Sequence, residues 1–539
     1  MSYDFKFSVL MPIYNVEEYL NDAIDSLINQ TIGFEDSIEL VIVDDGSPDN
    51  SKEIALKYQE KYPNNIKIFS KSNGGQASAF NFGLNHLHGK YISFMDSDDY
   101  VSLNTFQEVY EFFEEHNEEI DLVSIPIMFF ERRTGPHILN YKFKSTRVID
   151  LVDEPENSHL SLASSFIRKE ALEGIEFDTT LPLGYDALVV NKILLNKKKI
   201  GVIESSSYFY RKRYNMSSMV DNSRKTEKFY NHFLKNFYIN LIDYSKEKEG
   251  NVPEFIQYVI AYNLQWLHST ADFPDYFTKD KIDDFWDTFY EILSYVDEGI
   301  IKDSVNIRKK IVRFFLLYVK NHRDFHIDTV DDQSKIYLRT GDFTINNLHN
   351  HRFYIDDIDF DNGVLKFLGT FTSLCDYDTL NIEAVKTLPD GTKQVYNEEL
   401  SDYSKDNSRV KRILGIDWQF KHCFDLKIPI EKEEESKIEF NMVYNENNKR
   451  IVLNNKIIFR NSTLLTDKIN YFVKDSQIVF FKDNVFNVYP FSDKKFNELK
   501  DELSDKGDKK SNIAPKKGKK ALKNRCSVLN KIKQLIKKS

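Results

Sequence analysis

The sequence predicts an α/β amino-terminal domain, a helical middle and a β-rich, sandwich-like carboxy-terminal module. Three observations carry this. Over residues 1–130, apolar runs alternate with helical patterns, as in a parallel sheet with crossover helices. From about residue 225, Phe229, Phe233, Phe237 and Leu241 recur every four residues, a helical spacing. Between about 350 and 465, short apolar runs are separated by turns, as in antiparallel sandwiches or barrels. The expected boundaries are 1–222, 223–340, 341–465 and an extension over 466–539.

In the first segment the strand candidates are FSVLMPIY (7–14), IELVIVDD (38–45), IKIFSK (66–71), KYISFMD (90–96) and DLVSIPI (121–127). Leu20, Ala23 or Ile24, Leu27 and Ile28 mark a helix between the first two. Further helices are expected over EFIQYVIAYNLQWLH and VRFFLLYVK. In the third segment GVLKFLGTF, TLNIEAVKTL, KIEFNMVYN and KRIVLNNKIIF read as strands, with PDGT (389–392) as a turn.

Of 539 residues, 41% are hydrophobic and 29% charged, so the chain can bury several cores and is not disordered as a whole. No apolar run is long enough to span a bilayer, and the first residues, MSYDFKFSVLMPIYN, lack a signal-peptide pattern. Three widely spaced cysteines (Cys375, Cys423, Cys526) form neither a disulfide framework nor a zinc signature. A reducing, cytoplasmic setting is expected. The net charge of −11 includes ten Lys/Arg and no acid over 516–539, leaving −21 (−11 minus +10) on the preceding residues. So acidic a body excludes general nucleic-acid binding, which needs a basic surface.

The chemistry concentrates at strand ends, where open α/β sheets bind ligands. KYISFMDSDDY puts Asp96, Asp98 and Asp99 within four positions. Alternate residues of an extended chain share a side, so Asp96 and Asp98 can converge on a hard divalent cation, Mg²⁺ or Mn²⁺. The other reading is a polar loop, with Asp99 or Ser102 capping the next helix. Asp44 and Asp45 end a second strand, before a Gly-Ser-Pro turn.

Four motifs in order, VLMPIYN, VIVDDGSPDNS, NGGQASAFNFG and SFMDSDD, resemble glycosyltransferase family 2, with its nucleotide-diphospho-sugar-binding GT-A fold. The resemblance covers about 220 residues. It implies that Pro12 and Tyr14 lie against uracil, Asp44 accepts from the base, Asn73 helps hold the nucleotide, and Asp96 and Asp98 hold ribose, diphosphate and metal. In the family's base motif this chain has Gly184-Tyr185-Asp186, so Asp186 takes the general base position. It equally suits a helix cap, and both can hold. The stretch YFYRKRYNMSSM (208–219) resembles a closing loop in which Arg211 or Arg213 pairs with the diphosphate; a solvated basic turn is the plain alternative.

Two departures stand out. Where many relatives carry arginine the chain has Phe80, and the usual acid before Asp186 is Tyr185. A Gln-x-x-Arg-Trp motif is absent from the sequence, which argues against a processive synthase. The succession of segments further resembles poly(ribitol-phosphate) glycosyltransferases of wall teichoic acid and related capsule enzymes. That resemblance implies an inverting, metal-dependent enzyme using UDP-GlcNAc, UDP-GalNAc or UDP-Glc, with GlcNAc foremost, on a polyol-phosphate or polysaccharide acceptor. The alternatives are a capsular or exopolysaccharide glycosyltransferase, a nucleotidyltransferase, and a non-catalytic polymer-binding protein. The carboxy-terminal domains are expected to bind polymer or assemble a homo-oligomer. Trp418 suits either sugar stacking or the core. Leu522, Cys526, Leu529, Ile532 and Ile536 share a helical face amid lysines, either a peripheral membrane contact at the inner leaflet through 516–539 or a solubilising tail.

Overall fold

The computed structural model describes residues 3–214, 226–323, 328–332, 335–375, 379–399, 409–446, 449–453, 456–459 and 471–504. The chain forms two compact units, Met1–Leu348 with Val410–Gln419, and His349–Arg409 with Phe420–Ser539.

The first unit is built on β1 (Phe5–Ile13), β2 (Ile38–Asp44), β3 (Ile66–Ser70) and β4 (Gly89–Phe94), parallel and ordered β3-β2-β1-β4. From Phe7 onward β1 is buried, and β2 is buried throughout, which is why both read as near-continuous apolar runs. The sheet continues past β4 through β10 (Ser165–Arg168), β6 (Leu122–Ser124), β11 (Lys199–Val202) and β9 (Arg147–Asp150). Strand β10 runs antiparallel to both neighbours, a reversal that local sequence does not announce. A second sheet joins β5 (Tyr100–Val101), β12 (Tyr208–Lys212), β7 (Ile127–Glu131) and β8 (Gly135–Pro136).

Helix α1 (Leu20–Ile28) buries Leu20, Ala23, Ile24 and Leu27, the expected face. It is followed by α2 (Phe34–Ser37), α3 (Ser51–Lys61), α4 (Gln76–Leu84), α5 (Thr105–Glu115) and α6 (Tyr185–Lys197). In the helical part of this unit Phe229, Phe233, Phe237 and Leu241 are all buried. The first three rings stack at 6.1 and 5.3 Å. A side chain every four residues drifts about 40° per step around an α-helix. The π-helical stretch Leu234–Ile239 is more loosely wound, which draws the stripe back into line. Phe233 and Phe237 abut Gly184: a Cβ there would sit 3.0 Å from Phe233. The helical part thus buttresses the turn that starts α6.

Trp418 is buried in this unit against Phe314, Phe315 and Tyr318, so it belongs to the core. The second unit is strand-rich and almost wholly antiparallel. Phe353, Phe367 and Phe424 of one sheet face Phe440 and Phe486 of the other, with centroids 4.8 and 4.9 Å from Phe367 to Phe440 and Phe486. This is the filled interior of a sandwich. The 389–392 turn closes through a Leu388 N–H to Thr392 O bond of 2.9 Å, with Gly391 at φ +86°. No helix of the described residues is long and apolar enough to cross a membrane. The expected membrane-facing segment, 516–539, lies outside the described residues, as does 215–219 of the expected closing loop.

Candidate active site

The parallel strands carry their carboxyl ends to one edge, and the predicted residues collect there. Pro12 is buried in β1, while Tyr14, just past its end, is 50% exposed. Asp44 ends β2 opposite Ile13 and is buried, accepting the Ser47 N–H at 2.9 Å. Asn73 is exposed on the following loop. The loop is pinned by Asp45, whose carboxylate accepts Lys71 Nζ at 2.7 Å, Gly74 N–H at 3.0 Å and Gly75 N–H at 2.8 Å. Asp45 therefore shapes the Asn73-Gly74-Gly75 turn that α4 starts from. The sequence reading missed this role, although an Asp pair at a strand end must send its two side chains opposite ways.

Beyond β4 the chain turns through Asp96, Ser97, Asp98 and Asp99. Asp96 accepts Gln76 Nε2 at 2.6 Å, and its N–H donates to the Tyr208 hydroxyl at 3.2 Å. Asp98 accepts Arg213 Nε at 2.7 Å. Asp99, 1% exposed, accepts the Arg211 N–H at 2.7 Å, while its Oδ2 has no hydrogen-bond partner. Burial and the charges of Asp98 and Asp186 push the Asp96 carboxyl up to about 7, against Gln76 and Arg213. Burial, then Asp98 and Asp96, hold Asp99 well above the usual carboxylate range. Like charges in a poorly solvated site favour the protonated form.

Asp186 is in the first turn of α6, after Gly184 in the left-handed region at φ +83°. Burial pushes its carboxyl up to about 6, opposed by backbone N–H groups at the helix start. Its charge adds to the rise of the Asp96 carboxyl. Tyr185 fills the place of the usual acid. Its hydroxyl donates to Gln76 Oε1 at 2.6 Å, so Gln76 links Tyr185 to Asp96. Neither bond is foreseeable from spacing, since Gln76 and Tyr185 are 109 residues apart.

The other departure turns inward. Phe80 is buried against Phe94 and Phe177 at 5.1 and 5.2 Å. Beside it Asn81 exchanges two 2.8 Å bonds with the Phe177 backbone, fastening the segment that leads to Gly184.

The two arginines part company. Arg211 is buried, donating from Nε to Asp98 O at 2.7 Å, from one terminal nitrogen to Glu131 at 2.5 Å and from the other to Asp22 at 2.8 Å. Its guanidinium also lies over Tyr19 and Phe130. It braces the acidic turn through the Asp98 carbonyl. Arg213 lies on the carboxylate side, on Asp98 and over Tyr19 at 4.8 Å.

Among the described residues no group of three or more His, Cys, Asp or Glu side chains is placed to enclose a metal ion. Asp96 and Asp98 instead offer an open, all-oxygen pair. Such a pair suits Mg²⁺ or Mn²⁺, which share their shell between one or two carboxylates and substrate phosphates. The crowding that lifts Asp96 is what a cation would relieve.

The family model described as glycosyl transferase family 2 matches residues 8–175, which include the strand ends and Asp96–Asp98 but stop before Asp186. The chain is 45% identical over 318 residues to the minor teichoic acid biosynthesis protein GgaB of Bacillus subtilis (strain 168), covering 59% of this chain and 35% of that protein. It is 36% identical over 307 residues to GgaA, another minor teichoic acid biosynthesis protein of that organism, covering 55% of this chain and 68% of GgaA. Over 214 residues it is 29% identical to the poly(ribitol-phosphate) beta-N-acetylglucosaminyltransferase TarS of Staphylococcus aureus (strain Mu50), covering 38% of this chain and 35% of TarS. The chain thus spans about a third of GgaB and of TarS, and two thirds of GgaA.

Proposed function

We propose that this chain, which belongs to glycosyltransferase family 2, transfers a sugar from a UDP-sugar, GlcNAc foremost, to a hydroxyl of a wall polymer of the polyol-phosphate kind. One observation carries the reading: Gln76 bonds both Asp96 and Tyr185, each at 2.6 Å, which sets the start of α6, with Asp186 next in sequence, beside the strand-end carboxylates. A base for the acceptor and an acidic pair for the donor phosphates thereby share one space. The names of GgaB, GgaA and TarS support the polymer class.

In the proposed reaction the Asp186 carboxylate takes the proton of the acceptor hydroxyl as its oxygen bonds the anomeric carbon. The bond from that carbon to the diphosphate oxygen breaks, UDP leaves with the electron pair, and the configuration inverts. Asp96 and Asp98 would hold a divalent cation, which supplies charge neutralisation for the departing diphosphate. Arg213, already on Asp98, is placed to add a second positive charge. Pro12, the exposed Tyr14 ring, Asp44 and Asn73 bind the nucleotide. Arg211, with its guanidinium engaged inside the protein, holds the acidic turn in place.

The test is UDP release from UDP-GlcNAc, UDP-GalNAc and UDP-Glc. Each donor is offered alone and with poly(ribitol phosphate), poly(glycerol phosphate) or a neutral polysaccharide, in Mn²⁺ or EDTA. Acceptor-dependent release, abolished by EDTA and by Asp186→Asn, is expected. Release only with the neutral polysaccharide would move the enzyme to the capsular class. Failure of every UDP-sugar to bind in calorimetry would overturn the transferase reading.

A further inference from the structure

Helix α4 starts from a loop that other segments hold still. Gly75, in the left-handed region at φ +84°, precedes it, and the Asp45 carboxylate accepts the Gly74 N–H at 3.0 Å and the Gly75 N–H at 2.8 Å. Lys71 anchors Asp45 in turn at 2.7 Å. The backbone of Gln76, the first residue of α4, is therefore placed before its side chain reaches anything.

That side chain spans two further segments. Its Nε2 donates to Asp96 Oδ1 at 2.6 Å, and its Oε1 accepts the Tyr185 hydroxyl at 2.6 Å. Asp96 lies just past the end of β4, and Tyr185 is the first residue of α6. Farther along α4, Phe80 packs on Phe94 and Phe177, and Asn81 bonds the Phe177 backbone. Those contacts set the approach to α6 through core and backbone; the Gln76 bonds are the ones that reach the carboxylate.

The two bonds run in one direction. Tyr185 gives its single hydroxyl hydrogen to Oε1, which puts the amide nitrogen, a donor only, on Asp96. Oδ1 is thereby taken by α4, and Oδ2 is the oxygen left for a cation. An ionised acid at position 185 has no hydrogen for Oε1, so Tyr185 and Gln76 fit as a pair. Holding a long glutamine side chain at both ends costs rotamer freedom, and what that cost secures is a fixed relation between a strand end and a helix start.

We infer that Gln76 is the positioning residue that couples the acidic pair to the base: through its two bonds, Asp96 and the first turn of α6, with Asp186 in it, are set together. The inference rests on the transferase reading for its purpose. A carboxylate free to swivel and a helix start free to shift misplace donor and base relative to each other, and an error near 1 Å costs about 10²-fold in rate. Gln76 acts through Asp96 and Tyr185, not on the reacting atoms.

The full chain is compared as wild type, Gln76→Ala, Tyr185→Phe and the double variant. Gln76→Met, of similar length, keeps the packing if melting curves show that the alanine variant is not folded. Either Gln76 variant should lower kcat at least about tenfold, while the donor Kd in calorimetry stays within about threefold. Adding Tyr185→Phe should lower kcat by less than about twofold more, because the shared bond is already gone. The second readout needs no turnover. Mn²⁺, added alone or with UDP, should slow amide hydrogen exchange over residues 185–190 in wild type and leave it unchanged in the Gln76 variant. A fall in donor affinity as large as the fall in kcat, or kcat within about threefold of wild type, overturns the inference. So does equal protection with and without Gln76. If no UDP-sugar is turned over while Gln76-dependent protection persists, the transferase reading fails and the coupling stands. If UDP is released onto acceptor and wild type shows no protection, the transferase reading stands and the coupling fails.

Discussion

Strands β1, β2 and β4 bury carboxyl groups at both ends, and the two ends treat them oppositely. At the amino-terminal edge Glu39, 1% exposed, accepts the Ser8 hydroxyl at 2.5 Å and the His88 N–H at 2.9 Å, and meets His88 Nδ1 at 2.8 Å. Ser8 in turn accepts the Gly89 N–H at 2.7 Å. Only glycine allows this approach, because a Cβ at position 89 would meet Ser8 N at 2.3 Å. At the carboxyl edge Asp96, Asp98, Asp99 and Asp186 crowd together, and an Asp99 oxygen is left unpaired. A buried acid with its full set of donors stiffens the fold. Buried acids short of donors store unfavourable energy that a ligand can release. The same sheet holds a structural and a functional version of one chemical group.

The sharpest way to break this contrast is to remove one carboxylate from each end. Asp186→Asn should lower transfer by ~10²–10⁴-fold, the range of a lost general base, with donor affinity in calorimetry kept. Activity within tenfold of wild type would show that the crowded end is not the reactive one. Glu39→Ala should do the converse. Leaving Ser8 and the His88 N–H without their acceptor should cost about 3 kcal/mol in urea unfolding, while turnover of the folded protein at low temperature stays within about twofold.

The pH response sharpens the comparison at a finer level. A base at about 6 makes kcat/KM climb as pH rises through about 6, and Asp186→Asn should abolish that limb. The stability effect has the opposite direction. Asp96 at about 7 and Asp186 at about 6 keep protons in the folded state that the unfolded chain gives up near 4. From pH ~4 to ~7 the folded state binds more protons, so these groups lower the unfolding free energy as pH rises. Asp96→Asn should therefore lose less stability than wild type between pH 5 and 7, measured without ligand; parallel curves would contradict the crowding. Smallest of all is Tyr185→Phe. Removing its 2.6 Å bond to Gln76 should cost about 1 kcal/mol, read as a loss of about fivefold in kcat with Asp98-dependent donor binding intact.

Much of this was legible beforehand, for identifiable reasons. A buried parallel strand must be apolar along its length, so an Asp at its end is conspicuous; Asp44, Asp96 and Asp98 are at such ends. Helical spacing likewise marked the Phe229–Leu241 stripe, and alternation marked the strands of the sandwich. What stayed hidden depends on distant partners. Asp45 could not be told from Asp44 without knowing which side holds the glycine turn. Arg211 and Arg213 are two residues apart and look alike, yet Arg211, inside β12, spends its guanidinium on Asp98 O, Glu131 and Asp22, whereas Arg213, just past the end of the strand, reaches the Asp98 carboxylate.

The sequence by itself determined the succession of architectures, the strand ends that carry acids, and the departures at Phe80 and Tyr185. Those features follow from local periodicity and from the cost of burying charge, both of which act along the chain. Only the tertiary structure decided that Phe80 faces a core of Phe94 and Phe177, that Gln76 joins Tyr185 to Asp96, and that Lys212 of β12 and Arg133 meet over the Phe129 ring. These contacts span tens to over a hundred residues of chain. They exist because the sheet and helices are packed so that separate segments meet, and no local propensity encodes that meeting.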